Sequence, residues 1–299
     1  MFERNVKKKM KQMKEERFIE TKKVGLAGII GNIFLLIIKA AIGFSSKSQS
    51  MIADSINSAS DIFASLMTFI GNKISQEPKD DTHNFGHGKA EYLFSMFISI
   101  SMIFVSLKLL YDSVCTLIFG SEMTFSWFLI IVCIITIITK LSLYLYTKNC
   151  YKKHTNILLE ANMKDHRNDC IVTTFTLISA LLTLKNIYWF DGIVGIGISI
   201  WIFYTGLQLF IESYNILMDI SIDEYTKNII LDLAHCYEGI KEVNSITSTP
   251  VGYKYIIVMT ISVDGNLSTF ESHRLADDLE QSINMLEKVY KTIIHVEPV

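Results

Sequence analysis

Two nine-residue stretches of this chain repeat one pattern of oxygen-bearing side chains, each within an apolar, helix-patterned segment. The first, ADSINSASD, covers residues 53–61, and the second, ANMKDHRND, covers residues 161–169. Each opens on Ala and closes on Asp. The second, fifth and ninth positions are Asp54, Asn57 and Asp61 in one, and Asn162, Asp165 and Asp169 in the other. Asn57 with Asp61 and Asp165 with Asp169 are i, i+4 pairs, so each pair shares one face of its helix. An Asp at the centre of a membrane helix costs roughly 2.5–3.5 kcal/mol on an insertion scale. A chain that repeats this has a cation or a proton to hold.

The segments carrying these pairs belong to a strongly apolar chain. Half of the 299 residues are hydrophobic and only 19% are charged. The net charge of −2 gives no overall field for nucleic acid. Six segments are long enough to span a bilayer, near residues 23–44, 51–74, 90–113, 125–147, 157–184 and 189–212. The expected class is a membrane α-helical protein with six transmembrane helices and a small C-terminal α+β domain. The expected division is a basic segment over 1–22, a membrane domain over 23–213 and a C-terminal domain over 214–299. The second and fifth spans are the most polar, so they should face the bundle interior. Gly192, Gly195, Gly197 and Gly206 in the sixth suit close helix packing. The cysteines at 115, 133, 150, 170 and 236 show no C-x-x-C and suit a reduced or membrane setting.

Basic residues set the expected orientation. Arg4, Lys7, Lys8, Lys9, Lys11, Lys14, Arg17, Lys22 and Lys23 precede the first span. Lys79 and Lys89 lie between the second and third spans, and Lys148, Lys152 and Lys153 between the fourth and fifth. The opposite connections hold only Lys47 and Lys185. The positive-inside rule then places both termini in the cytoplasm. The first long apolar run reads as a span and not as a cleaved signal. Lys39 and Lys140, within apolar runs, and Lys108, near a span end, are expected to snorkel or to pair with bundle carboxylates, with no transport role.

Beyond residue 213 the pattern changes. Ser221 to Glu224 reads as a capping box opening a helix that stops near Gly239. Tyr255, Ile257, Met259, Ile261 and Val263 mark one face of a strand. Ser268 to Glu271 reads as a second capping box, with Leu275, Leu279, Ile283 and Leu286 as the stripe of its helix. Thr292 to Val296 closes the chain as a short strand. The expected order is α-β-β-α-β.

These pieces together resemble the cation diffusion facilitator family of divalent-metal transporters. The resemblance runs from about residue 20 and is carried by SMIADSINSASDIFASL, by DDTHNFGHGKAEYLFSM over residues 80–96, and by DHRNDC from residue 165. It implies six transmembrane helices, a cytoplasmic ferredoxin-like domain, a homodimer, a place in the plasma (inner) membrane and metal–proton exchange. It also maps the four-ligand transport site onto Asn57, Asp61, Asp165 and Asp169. Zinc-moving members typically place His at the first position of one or both pairs, whereas this chain has Asn57 and Asp165. His166 is adjacent, but one residue is about 100° around a helix, which directs it to another face. The implied donor set is all oxygen, which suits Mn²⁺ better than Zn²⁺. The implied function is therefore Mn²⁺ efflux in exchange for protons, with Fe²⁺ and Zn²⁺ as alternatives of the same class. Carboxylates crowded in one cavity exchange protons for metal.

By spacing alone, Asp54 and Asn162, one turn before each pair, either support the ligands, line an access path or join helices by hydrogen bonds. Further positions follow from the same resemblance. Asp80, His83 and His87 form a second candidate metal site, although Gly86 and Gly88 also suit a turn. Lys89 and Asp219 are expected to pair as a charge lock of the dimer. In the C-terminal domain His273, His295 and Glu297 fall at metal-binding places, while two other expected His positions are Asn244 and Thr260. Lone His235 and His154 carry no assigned role. Two readings from other classes are weighed: an intramembrane Mg²⁺-dependent prenyltransferase-like enzyme and a metal sensor without transport. Neither a Ser-His-Asp set nor a phosphate loop supports an enzyme, and no cofactor is expected.

Overall fold

The computed structural model describes residues 2–46, 49–119, 127–183 and 189–299, with the side chains of 2–14, 43, 45–46, 49–57, 60, 183, 189 and 191 outside the description. Six long helices come first: α1 (Phe2–Ser46), α2 (Gln49–Ser75), α3 (Ala90–Phe119), α4 (Trp127–Lys153), α5 (Ile157–Thr183) and α6 (Trp189–Leu217). A helix, two strands, a helix and a strand follow: α7 (Glu224–His235), β1 (Ile240–Val251), β2 (Lys254–Val263), α8 (Thr269–Asn284) and β3 (Val289–Pro298). The chain divides into two compact units, residues 1–76 with 91–213, and residues 77–90 with 214–299.

The first unit buries many polar side chains and exposes many apolar ones. Asn32, Thr68 and Asn162 are fully buried, and Lys140 is only 1% exposed. Ile30, Phe104 and Ile138 are each at least 60% exposed. Contiguous apolar surface on this scale has lipid as its natural solvent. Among the described residues, four helical stretches are long and apolar enough to cross a membrane: Glu15–Ile42, Ala90–Phe119, Trp127–Lys153 and Gly192–Leu217. Six were expected. Helices α2 and α5 reach spanning length, at 27 residues each. Their polar residues take them below the required apolarity, most clearly the unbroken run from Lys164 to Asp169 in α5.

Close packing explains how polar groups are held inside. A Cβ at Gly28 of α1 would come within 2.5 Å of Ser65 Oγ on α2, so glycine lets these two helices touch. Across that contact Asn32 Nδ2 donates to the Asp61 carbonyl at 3.1 Å and to Ser65 Oγ at 3.2 Å. Lower down, Asn72 Nδ2 donates to the Phe18 carbonyl at 3.0 Å. Arg17, expected to be one of a run of topology-setting charges, is instead buried, and its guanidinium meets Glu91 of α3 at 2.5 Å. Ala64, Ile98, Met102, Leu158, Ala161 and Leu209 form an apolar cluster joining α2, α3, α5 and α6.

The second unit holds a three-stranded sheet in the order β1-β2-β3, with β1/β2 antiparallel and β2/β3 parallel. The parallel pair requires a crossover, which α8 supplies. The α-β-β-α-β order matches the expectation; it is a ferredoxin-like β-α-β-β-α-β order without the first strand. Ile257, Met259, Ile261 and Val263 face Ile230, Ala234, Leu279 and Ile283 in the core, as the alternation in β2 implied. The capping box at Ser268 and Glu271 is present with both bonds.

The start of α7 differs from expectation. Asp223, not Ser221, is the N-cap, accepting from the Thr226 amide at 3.0 Å. Lys288 at 2.7 Å fixes that choice by holding the Asp223 carboxylate, and the helix ends at His235, before Gly239. The Lys288 hydrogen bond, with help from Thr226, holds the Asp223 carboxyl at about 2, below the usual 3.8. Because the folded value is depressed, this contribution is complete above the unfolded value near 4 and is lost as pH falls towards 2. Asp223→Ala should cost about 1 kcal/mol of local stability. Hydrogen exchange in residues 224–235 should then accelerate about fivefold. The wild type should show an acid-induced loss of protection below about pH 4 that the variant lacks.

Candidate metal centre

Three of the four candidate transport ligands converge between α2 and α5. Asp61, Asp165 and Asp169 line one cavity of about 100 Å³, which also touches Ser101, Met102 and Asp112 of α3, Asn168 of α5 and Ile202 of α6. The helical spacing of Asp165 and Asp169 sets their two carboxylates one turn apart on the same side of α5. Burial of Leu158, Leu159 and Ala161 at the start of that helix fixes its rotation. The Asn57 and Asp54 side chains lie outside the described residues.

The largest departure from expectation is Lys140. Its ammonium lies 2.7 Å from Asp61 Oδ2 and 2.5 Å from Asp169 Oδ2, and its side chain is 1% exposed. Asp165 and Lys140 also interact electrostatically. Pairing with bundle carboxylates was one of two readings for this lysine; the structure selects it and rules out snorkelling. The available signal was a charge in the most apolar helix, α4, since an ammonium that cannot reach water must meet acids.

His166 is the second departure. Its imidazole is fully buried, and a ring nitrogen lies within 4.8 Å of carboxylate oxygens of both Asp165 and Asp169. The angular argument placed it on another face. An imidazole is long enough to swing back across that angle, and the missing Cβ of Gly28 leaves room beside it, with Nε2 3.8 Å from where that atom would be. Among the described residues neither ring nitrogen has a hydrogen-bond partner, nor does Asp165 Oδ2 or Asn168 Nδ2. Buried polar groups are normally satisfied, so this concentration on one helix turn marks a place built for something other than internal hydrogen bonding. Arg167 points elsewhere, with its guanidinium carbon 4.6 Å from the Trp201 ring centroid.

Asn162 donates to Thr68 Oγ1 across the α2–α5 contact, a hydrogen bond between helices. In the 77–90 connection, Asp80, His83 and His87 come together with ligand atoms within 4.8 Å of one another. Asp80 Oδ1 accepts from the His83 amide at 2.5 Å and the Thr82 hydroxyl at 2.9 Å, bonds that hold its carboxyl at about 2. Oδ2 remains 3.7 Å from His87 Nε2. Lys89 Nζ meets Asp219 Oδ1 at 2.6 Å. Asp219 occupies the left-handed position after α6, at φ 58°, where the Ile220 amide bonds the Asn215 carbonyl and the Asp219 amide the Ile216 carbonyl. Glycine is usual in that Schellman geometry; here Asp closes the turn and supplies the charge.

The C-terminal trio is not brought together within the chain. His273 Nε2 lies 3.4 Å from Asp277, while His295 Nε2 lies 3.9 Å from Glu297, whose other oxygen accepts from Asn244 Nδ2 at 2.6 Å. Among the described residues, only the Asp80 and Asp165 clusters bring three such ligands together.

Comparison with known proteins identifies the family. The cation efflux transmembrane domain matches residues 25–218, and the cation efflux protein cytoplasmic domain matches residues 222–299. The manganese efflux system protein MneP of Bacillus subtilis is 26% identical over 295 residues, covering 96% of this chain and 99% of that protein. The cation-efflux pump FieF of Cronobacter sakazakii is 27% identical over 280 residues, covering 92% of each. The magnetosome protein MamB of Magnetospira sp. is 26% identical over 262 residues, covering 87% of this chain and 89% of that protein. MneP and FieF are named for efflux and the matched domain is a cation efflux domain, which displaces the intramembrane-enzyme reading. With both domains matched in order across nearly its whole length, the chain belongs to the cation efflux family of membrane transporters, the cation diffusion facilitators.

Proposed function

We propose that this protein exports Mn²⁺ across the plasma (inner) membrane in exchange for protons. It does so as a homodimer with six spans in each subunit and both termini in the cytoplasm. The observation that carries the reading is the convergence of Asp61, Asp165 and Asp169 in one half-buried cavity, with Asp165 Oδ2 unpartnered among the described residues. Asn57 completes the proposed ligand set with an amide oxygen. Such a set suits a hard divalent ion. MneP is named for manganese efflux, and it aligns along nearly all of this chain. Protons and metal compete for the same carboxylate oxygens, which couples the two fluxes. The proposed division is a basic segment over 1–22, a membrane domain over 23–213 and a cytoplasmic domain over 214–299. The Asp80 cluster is a second metal site, and the Lys89–Asp219 pair is a lock at the dimer.

His166 favours a second reading. A nitrogen donor within reach of two carboxylates broadens the site towards Fe²⁺ or Zn²⁺. Vesicle transport of Mn²⁺, Fe²⁺, Zn²⁺ and Cd²⁺ separates the two. Wild type should favour Mn²⁺, and Asn57→His and Asp165→His should each raise Zn²⁺ flux relative to Mn²⁺ by about tenfold, a difference of about 1.4 kcal/mol. His166→Ala should leave Mn²⁺ flux within about threefold, or about 0.7 kcal/mol. Zn²⁺ flux exceeding Mn²⁺ flux in wild type, and lost in His166→Ala, would replace the manganese reading with the second one.

A further inference from the structure

We propose that Lys140 is a built-in competitor for the transported cation, a tethered ammonium that a divalent ion must displace from Asp61 and Asp169. The inference rests on the reading of those carboxylates as transport ligands. It makes Lys140 the residue that sets affinity and rejects monovalent ions.

The argument starts from α4, whose other inward residues near Lys140 are apolar or hydroxylic. An ammonium has three donors and no acceptor. Lys140 spends two of them on Asp61 Oδ2 and Asp169 Oδ2, at 2.7 and 2.5 Å. Those oxygens come from different helices and flank the one ammonium, so Lys140 holds the same two atoms that an ion bridging α2 and α5 would use. An ion using the same oxygens has to dislodge it. A monovalent ion brings no more charge than the ammonium and pays for its own dehydration, so the exchange is unfavourable. A divalent ion pays more for dehydration, but it doubles the attraction to three carboxylates and, unlike the ammonium, can be coordinated directly by several of their oxygens at once, which favours the exchange. The displaced ammonium remains attached to α4, at high effective concentration, and returns to push the ion out.

The ordinary alternative is that Lys140 only ties α2, α4 and α5 together. The two differ in direction. Loss of a structural tie weakens metal binding, whereas loss of a competitor strengthens it. The experiment uses the purified full chain and Mn²⁺, following by calorimetry the component of binding that Asp169→Asn abolishes. Lys140→Met keeps the length of the side chain and removes its charge. It should bind Mn²⁺ about tenfold more tightly, turn over more slowly in vesicles, and become sensitive to K⁺ at constant ionic strength. Wild type should be insensitive to K⁺. Unchanged or weaker Mn²⁺ binding by a folded Lys140→Met protein would overturn the proposal.

If that variant does not fold, the wild type decides. Saturating Mn²⁺ should raise reductive methylation of Lys140 several-fold by peptide mass spectrometry, and an unchanged or reduced level would overturn the proposal. Equal Mn²⁺ binding by wild type and Asp169→Asn would instead remove the site reading itself, and the proposal with it.

Discussion

Asp169→Asn is expected to abolish metal transport, lowering Mn²⁺ flux in vesicles by at least about 100-fold, the upper range for losing even an outer partner of a metal ligand. The substitution keeps one oxygen and the size of the side chain, so its effect reports charge. Asp169 serves the site twice, as a cavity-lining carboxylate and as a partner of the Lys140 ammonium at 2.5 Å. Removing it leaves Lys140 facing Asp61 as its remaining hydrogen-bonded acid among the described residues. The site then has one fewer anionic ligand and the same built-in positive charge. Asp112→Asn is the control, because Asp112 lines the same cavity from α3, outside the two repeated motifs. Its flux should stay within a few-fold of wild type. A folded Asp169→Asn protein retaining a tenth of wild-type flux would show that the carboxylate is not a transport ligand.

The second large effect concerns stability. Glu91→Gln should destabilise the membrane unit by about 3–5 kcal/mol, the usual result of removing one member of a buried ion pair. Arg17 and Glu91 meet at 2.5 Å with side chains only 10% and 4% exposed. Ser75 Oγ adds a hydrogen bond to the other Glu91 oxygen at 3.3 Å, so the cluster joins α1, α2 and α3. The double variant Arg17→Met/Glu91→Leu should recover much of the loss, since two apolar side chains leave no charge buried. A mixed-detergent unfolding titration measures both. A Glu91→Gln protein within about 1 kcal/mol of wild type would show that the pair contributes little, as exposed pairs do.

What the sequence disclosed depended on whether the interaction was local. The i, i+4 spacing of Asp165 and Asp169 needed only helical geometry. The alternation from Tyr255 to Val263 and the Ser268–Glu271 box are equally local, and each is found where its pattern implied. The start of α7 was misjudged because Ser221 and Asp223 are both competent caps. The deciding partner, Lys288, is 65 residues away. Lys140 illustrates the same limit at the site, since its acids are 79 and 29 residues distant in sequence. Its presence in an apolar helix announced a partner without naming one. Arg17 was hidden by its neighbours, because a buried arginine within a basic run looks like the others. His166 was misdirected by treating a side chain as a fixed spoke on a helical wheel. Helices α2 and α5 fall short of membrane apolarity for the reason that makes them informative: the polar residues that line the cavity.

The division of the chain has a mechanical consequence. Residues 77–90 group with residues 214–299, although they lie between two helices of the other unit. The Gly88 backbone lies against Gly252, where a Cβ on Gly88 would come within 3.0 Å of the Gly252 Cα. The C-terminal unit is therefore strung to the helical unit by three covalent strands, at 76/77, 90/91 and 213/214, and not by one. A body on one tether can swivel without transmitting force. The ends of α2 and α3 run directly into a segment that folds with the C-terminal unit, and α2 carries Asp61. Cutting the chain after Ser213 would not simply remove a passive appendage. It would strip residues 77–90 of the part of the chain with which they fold.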